Sequence, residues 1–456
     1  MKHLLGNSYS RRDVLRFGAY GAATSAMWLT LGGSSAPNID SSGYKALVCV
    51  YLAGGNNGFN MIVPTSRKLY DVYARSRTNL ALPMEQLLPL NGEASDGFSY
   101  GMHPAMSEAR DLFNAGHIAV MGNVGTLKQP TKLSDARAGA APLQLFSHLD
   151  QQTEWMTSLP NETSRVGWAG RIADLYVQQG LNAKLAVNIA VGGSNYWQEG
   201  ASTQPYTLSP GEIAMLKVTN NENYRGGARR RVALDLLQQG SADSNLMVAQ
   251  FANIELLAAS KAGIARSALN NAGDFTTPFP FDRVNSGLNE QLHQVARTIK
   301  AHAALDTRQI FFVQLNGFDT HNGELSTQQD LLGILSANMK SFWMAMNEIG
   351  IQNDVTLFTM SEFGRTLSSN GDGSDHAWGN HHLVMGGAVQ GGFFGTMPDL
   401  ALDGADDVGA GRILPSTSTS QYGATLTRWF GVPDAQLNTV FPDLANFPTR
   451  TLPFLG

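Results

Sequence analysis

Six short stretches of the 456-residue chain are apolar at nearly every position: 46–52, 118–122, 185–191, 309–315, 355–360 and 382–385. Runs of four to seven such residues, without alternation, mark strands buried on both faces. Helical spacing separates several of them. It covers 104–114, and again 328–349, where Leu331, Leu332, Leu335, Met339, Phe342, Met346 and Ile349 recur three and four apart. Strands joined by crossover helices predict a mainly parallel sheet covered on both faces. From about 229 to 306 the pattern is mostly helical, broken by the proline-marked FTTPFPFD at 275–282. This predicts a helical insertion or cap bordering the active-site face. The glycine-rich stretch 386–395 reads as loops and turns and lacks a nucleotide-binding glycine signature.

The first 36 residues read differently. Ser10-Arg11-Arg12-Asp13-Val14-Leu15, a mildly apolar stretch at 17–31 and the small residues Ser34-Ser35-Ala36 form a twin-arginine export signal. The apolar stretch is shorter than the roughly 18–20 residues that span a bilayer. Cleavage after Ala36 leaves 37–456 as one α/β domain. The expected partner during export is the Tat translocase, the expected location periplasmic or secreted, with no stable membrane span after cleavage. The mature chain keeps 28 of the 32 Lys and Arg and 36 of the 37 Asp and Glu, a net charge of −8. That balance argues against nucleic acid or an anionic membrane as the main partner. The single cysteine, Cys49, lies in an apolar run, so no intramolecular disulfide forms and the thiol belongs to the core.

Ligands of open α/β sheets bind beyond the carboxyl ends of the strands. Three of the runs end in polar, chemically capable segments: Gly54-Gly55-Asn56-Asn57, Asn316-Gly317-Phe318-Asp319-Thr320-His321, and Ser361-Glu362-Phe363-Gly364-Arg365-Thr366. Next along the chain, the loop GDGSDHAWGNHH at 371–382 carries Asp375, His376, His381 and His382. Asp319 and His321, two apart, face the same way in an extended segment. Each segment alone also fits a bland role: a capping Asp319, a Glu362–Arg365 pair shaping a turn, a solvated histidine pair. Together they point to one rim site, and a divalent cation satisfies such carboxylates and imidazoles at once. Alternation allows at most one of His381 and His382 to face it.

The segments KALVCVYLAGGNNGFNMIVP, LFSHLDQQTEW, VGWAGR, GFDTHN, TMSEFGRT, DHAWGNHH with GGAVQGGFFG, and ILPSTSTSQYGATLTRWFGV occur in this order. With them the chain resembles a secreted bacterial family, domain of unknown function 1501, over about residues 45–447. That family is similar to the alkaline phosphatase and sulfatase superfamily. The resemblance implies an alkaline-phosphatase-like three-layer αβα sandwich with one or two divalent ions (zinc, manganese, magnesium or calcium). It implies Asp319, His321, Glu362 and His376 as metal ligands, with Asp375 either ligating or orienting. It implies Ser147 as nucleophile at a helix start, His148 or His321 handling protons, and Arg171 and Arg365 as anion clamps. The family usually has Asp where this chain has Asn57. An amide oxygen still coordinates but carries no charge, so one ion is expected rather than two. The implied activity is hydrolysis of phosphate or sulfate esters, small or attached to polysaccharide. The alternative is a non-catalytic envelope binding or assembly protein with a degenerate metal site.

Overall fold

Lys45–Ala53 (β1), KALVCVYLA, offers water nothing between its first residue and its last, and it runs through the middle of the protein. The computed structural model describes residues 38–455, with 161, 163, 182–183, 212–226, 281–285 and 307 left out, so the twin-arginine segment lies outside the described residues. Ala46, Val48, Val50 and Leu52 point into one core and Leu47, Cys49 and Tyr51 into another. A strand alternates its side chains between two faces, so both faces of this sheet are covered. Burial pushes the Cys49 thiol well above its ordinary range.

The other sheet strands are Ile118–Gly125 (β2), Asn188–Ala190 (β3), Tyr206–Thr207 (β4), Arg308–Asn316 (β5), Val355–Met360 (β6), Asn380–Gly386 (β7), Gly392–Gly395 (β8) and Thr417–Ser418 (β9). Their order is β8-β2-β7-β6-β1-β5-β3-β4, with β9 beside β2. Pairing is parallel throughout except for β7, which runs against both β2 and β6. The glycine-rich stretch read as loops therefore contains an edge strand, β8, and the predicted strand at 185–191 shortens to β3.

The helices used below are Arg67–Arg77 (α1), Ser107–Asn114 (α2), His148–Thr157 (α3), Trp168–Gln178 (α4), Gly227–Gly240 (α5), Leu246–Ala272 (α6), Leu288–Lys300 (α7), Glu324–Glu348 (α8) and Thr419–Trp429 (α9). One core joins Leu292, Val295 and Ile299 of α7 with Leu332, Leu335 and Met339 of α8 and Leu112 of α2. The other joins Ile172 and Tyr176 of α4 with Tyr422 and Leu426 of α9 and Trp155 of α3. The result is helix, sheet, helix. Within the stretch predicted as one helical insertion, α7 thus belongs to a covering layer.

Strand direction positions the site. β1, β5 and β6 end at one edge, and the reversed strand β7 begins there, so the loop before it reaches the same rim. The approach is close. A side chain at Gly54 (φ +120°) would bring its Cβ within 2.2 Å of the Asp319 nitrogen, so only glycine lets the loops after β1 and β5 meet backbone to backbone.

Candidate metal centre

Asp319 stands two residues beyond Gly317 in the loop after β5, and its Oδ1 is the hub of the rim. His321 Nε2 lies 3.1 Å from it, His376 Nε2 3.3 Å and His148 Nε2 3.5 Å. The nitrogens of His321 and His376 are 2.9 Å apart. His376 comes from a short ribbon, Arg365–Ser369 paired with Ser374–His376, in which it sits opposite Arg365. His148 opens α3. Asp319, His148 and His376, from three distant segments, bring one ligand atom each within 4.8 Å of one another, with His321 alongside, and the spot faces solvent: Asp319 is 47% exposed and His321 39%.

The outer nitrogens decide what that spot is. His148 Nδ1 is 2.9 Å from Glu362 Oε1, His376 Nδ1 2.7 Å from the Phe146 carbonyl, and His321 Nδ1 3.2 Å from Asp375 Oδ1. Each partner accepts a hydrogen bond, so each Nδ1 carries a proton, and in the neutral imidazole each Nε2 turns its lone pair inward. His148 Nε2 is buried and without a hydrogen-bond partner. The two Nε2 atoms of His321 and His376, 2.9 Å apart, are satisfied either by a shared proton or by a cation held between them. This arrangement, imidazoles oriented by carboxylates or carbonyls behind them, is how proteins fix metal-ligating histidines.

Several expected ligands stand elsewhere. Glu362 is withdrawn from the ligand set expected for it. Its Oε1 takes the Gly54 N–H at 2.8 Å as well as His148, and its Oε2 takes the Tyr51 hydroxyl at 3.0 Å. It holds His148 instead. Asp375 likewise orients His321 and is itself fixed by Asn370 at 2.9 Å. Asn57 is removed altogether: its Nδ2 donates to Glu324 at 2.5 Å and its Oδ1 accepts from the Asn60 N–H at 3.2 Å. Arg365 is not an exposed anion clamp. It is fully buried, donating to Asp319 Oδ1 at 2.9 Å, the Gly54 carbonyl at 3.2 Å and the Ser374 carbonyl at 2.5 Å. Arg171 is also consumed, by the carbonyls of Val440, Val166 and Thr157.

His148, read as a proton carrier, belongs to the cluster. Ser147, read as the nucleophile, is the N-cap of α3, its hydroxyl accepting the Asp150 N–H at 3.5 Å. Neither His381 nor His382 reaches the rim. His381 Nδ1 accepts the Asn123 N–H at 3.1 Å, and His382 packs against Trp155 and Tyr422. Burial lowers both to about 3.

The electrostatics reflect these contacts. Burial works to raise the Asp319 carboxyl, but the Arg365 hydrogen bond and charge, with His148 and His321, hold it below the usual range. The Glu362 hydrogen bond raises His148. Burial lowers His376.

Sequence reasoning missed a second polar centre beside the first. Glu324, at the start of α8, is fully buried between Arg77 Nη2 at 2.6 Å, Asn57 and the Ser374 hydroxyl. Arg77 also donates to Asn60 and to the carbonyls of Thr366 and Leu367. The only signal was an acid directly after the glycine of THNGE, which reads as an ordinary helix start.

A family model described as a protein of unknown function (DUF1501) matches residues 44–437, and the chain belongs to that family. No curated protein matches it. Among solved structures, the chain is similar to a 2-O GAG sulfatase at 11% identity and TM-score 0.31, covering 88% of this chain and 75% of that one. It is similar to the sulfatase PsFucS1 from Pseudoalteromonas sp. at 9% identity and TM-score 0.34, covering 98% and 76%. It is also similar to the phosphonate monoester hydrolase of Agrobacterium radiobacter at 11% identity and TM-score 0.31, covering 86% and 74%. Likeness that faint carries no argument about chemistry, which rests on the site itself.

Proposed function

We infer that the Asp319 cluster holds one divalent transition-metal ion and that the chain is an exported metal-dependent hydrolase of phosphate or sulfate esters. The observation that carries this reading is the convergence of three imidazole Nε2 atoms on one carboxylate oxygen, each ring backed at Nδ1 by an acceptor. His148, His321, His376 and Asp319 would hold the ion, and Glu362, Asp375 and the Phe146 carbonyl would orient the imidazoles. Three nitrogens and one oxygen suit zinc or manganese, whereas magnesium and calcium favour all-oxygen sets. A bound ion there supplies Lewis acidity toward an ester oxygen and a water.

The rest falls to this chain's own residues. Arg365 pins Asp319 in place and offsets its charge. Glu362 keeps His148 in the tautomer whose Nε2 faces the site. Because the Ser147 hydroxyl is engaged as the cap of α3, attack is assigned to water. Asn57 removes no ligand, since its side chain serves the Glu324 network, so its lack of charge does not favour a degenerate site. The twin-arginine segment supports export, and no described helix is long and apolar enough to cross a membrane.

Elemental analysis of protein exported by its own route, with turnover of aryl phosphates and aryl sulfates, tests the reading. The expected result is about one zinc or manganese per chain and turnover lost in Asp319→Ala and His376→Ala. A metal-free protein that stays inert with either ion added sinks it.

A further inference from the structure

Outside α5 and α6, the large apolar side chains exposed among the described residues are Leu143 (66%), Phe146 (41%), Leu149 (65%), Val177, Met344 and Leu402. The last three are scattered, and single exposed apolar residues are ordinary. The first three crowd into one short stretch. That stretch is also the one that meets the metal centre. The Phe146 carbonyl holds His376 Nδ1 at 2.7 Å, which keeps the Phe146 Cα within about 8 Å of the inward Nε2. Leu149 directly follows His148 on the first turn of α3.

The Phe146 ring is held where it stands. The Arg412 guanidinium carbon lies 4.6 Å from its centroid, while Arg412 Nε donates to the His376 carbonyl at 3.3 Å. A ring stacked in this way is already ordered before a ligand arrives, so less freedom is lost on binding. The flank beyond His321 differs in kind. There stand Asp375, 53% exposed, and Asn370. A ligand whose charged end reaches the Asp319 spot therefore finds hydrocarbon on the His148 side and polar groups on the His321 side. The hydrocarbon side suits a sugar poorly. A sugar carries hydroxyls that each need a partner when they leave water, and the side chains of Leu143, Phe146 and Leu149 offer none.

We propose, resting on the metal centre inferred above, that the ester hydrolysed here is amphiphilic: its phosphate or sulfate group reaches the ion, and its alcohol part is a hydrocarbon chain lying on Leu143, Phe146 and Leu149. Water supplies the oxygen that bonds to phosphorus or sulfur. The bond from that atom to the alcohol's oxygen breaks, and the alcohol's oxygen takes one of the water's protons. The other proton stays on the phosphate or, from sulfate, passes to solvent.

Release of inorganic phosphate or sulfate from butyl and octyl phosphate and from butyl and octyl sulfate, each kept monomeric, tests this on the full chain loaded with zinc or manganese. A fully buried methylene contributes about fourfold and one lying on a flank open to water about twofold, so octyl esters are expected to exceed butyl esters by about 15-fold in kcat/KM. Leu143→Ser with Leu149→Ser is expected to bring that ratio within about threefold, and Leu143→Met with Leu149→Met to restore it, at equal metal content. A chain that holds metal and hydrolyses butyl esters with no gain toward octyl overturns this proposal alone. So does a ratio indifferent to the serines, or a preference for glucose 6-phosphate or glucose 6-sulfate over the octyl esters. Adsorption to phosphatidylglycerol vesicles without a gain on soluble octyl esters also overturns it, by giving the three residues to a membrane surface. A metal-loaded chain inert on every ester removes the hydrolase reading and this one with it.

Discussion

Asp319 and Glu324, five residues apart, are each paired with a buried arginine on the same rim, yet they do different work. Glu324 is fully buried, and Arg77, Asn57 and the Ser374 hydroxyl saturate its carboxylate. Asp319 is nearly half exposed, and beyond Arg365 its neighbours are three imidazole nitrogens turned inward. Saturation suits a group that holds the rim together, and shared, incomplete satisfaction suits, on the proposed reading, a group that takes a ligand. Charge and sequence neighbourhood alone do not tell the two apart.

The sharpest way to break that contrast is to truncate one member of each centre. Glu324→Ala leaves Arg77 charged and unpaired in the interior and is expected to cost about 3–5 kcal/mol, read as a fall in the denaturation midpoint. His321→Ala, at a 39% exposed side chain, is expected to cost less than about 1 kcal/mol while abolishing metal retention. Equal losses from the two would erase the distinction. One step smaller, Glu362→Gln should weaken metal binding by about 10–100-fold in a competition titration with a chromogenic chelator, with the fold intact. Unchanged affinity would remove Glu362 from its supporting role.

The two histidines after the rim give a pH signature that separates packing from chemistry. Burial holds His381 and His382 at about 3 in the folded protein, whereas the unfolded chain takes up protons from about pH 6.5 downward. Stability is therefore full above about pH 6.5 and falls as pH drops from there toward about 3, by up to about 1.4 kcal/mol per pH unit per histidine. His382→Phe should shallow that slope in urea titrations at about pH 4, 5 and 6. The smallest expected effect is that of Ser147→Ala. Loss of a helix cap costs about 1 kcal/mol, and turnover should persist within a few-fold. Complete loss of turnover would return Ser147 to the role of nucleophile.

The central strands were legible because burial on both faces writes them as unbroken apolar runs. Val355–Met360 has the predicted limits, and Lys45–Ala53 and Arg308–Asn316 each extend one residue past them at either end. Gly392–Gly395 was not, because two half-buried phenylalanines between glycines look like a turn. Direction was also hidden, since nothing in NHHLVMG distinguishes a strand that runs against its neighbours. The rule that ligands gather at strand ends led to Asp319, His321 and His376, and their segments do converge. Atomic roles were beyond reach. Whether Glu362 faces the spot or stands behind His148 depends on a contact 214 residues away in sequence, and Asn57 was read without its partner Glu324.

The reversal of β7 has a consequence for how this rim tolerates change in length. β1, β5 and β6 supply the rim from the loops at their carboxyl ends, whereas β7 supplies it from the loop at its amino end. A residue added to the turn at 370–373 displaces His376 and Asp375 directly. One added at 387–391, just past the far end of the same strand, emerges on the opposite side of the sheet, where sequence drift is free of the site.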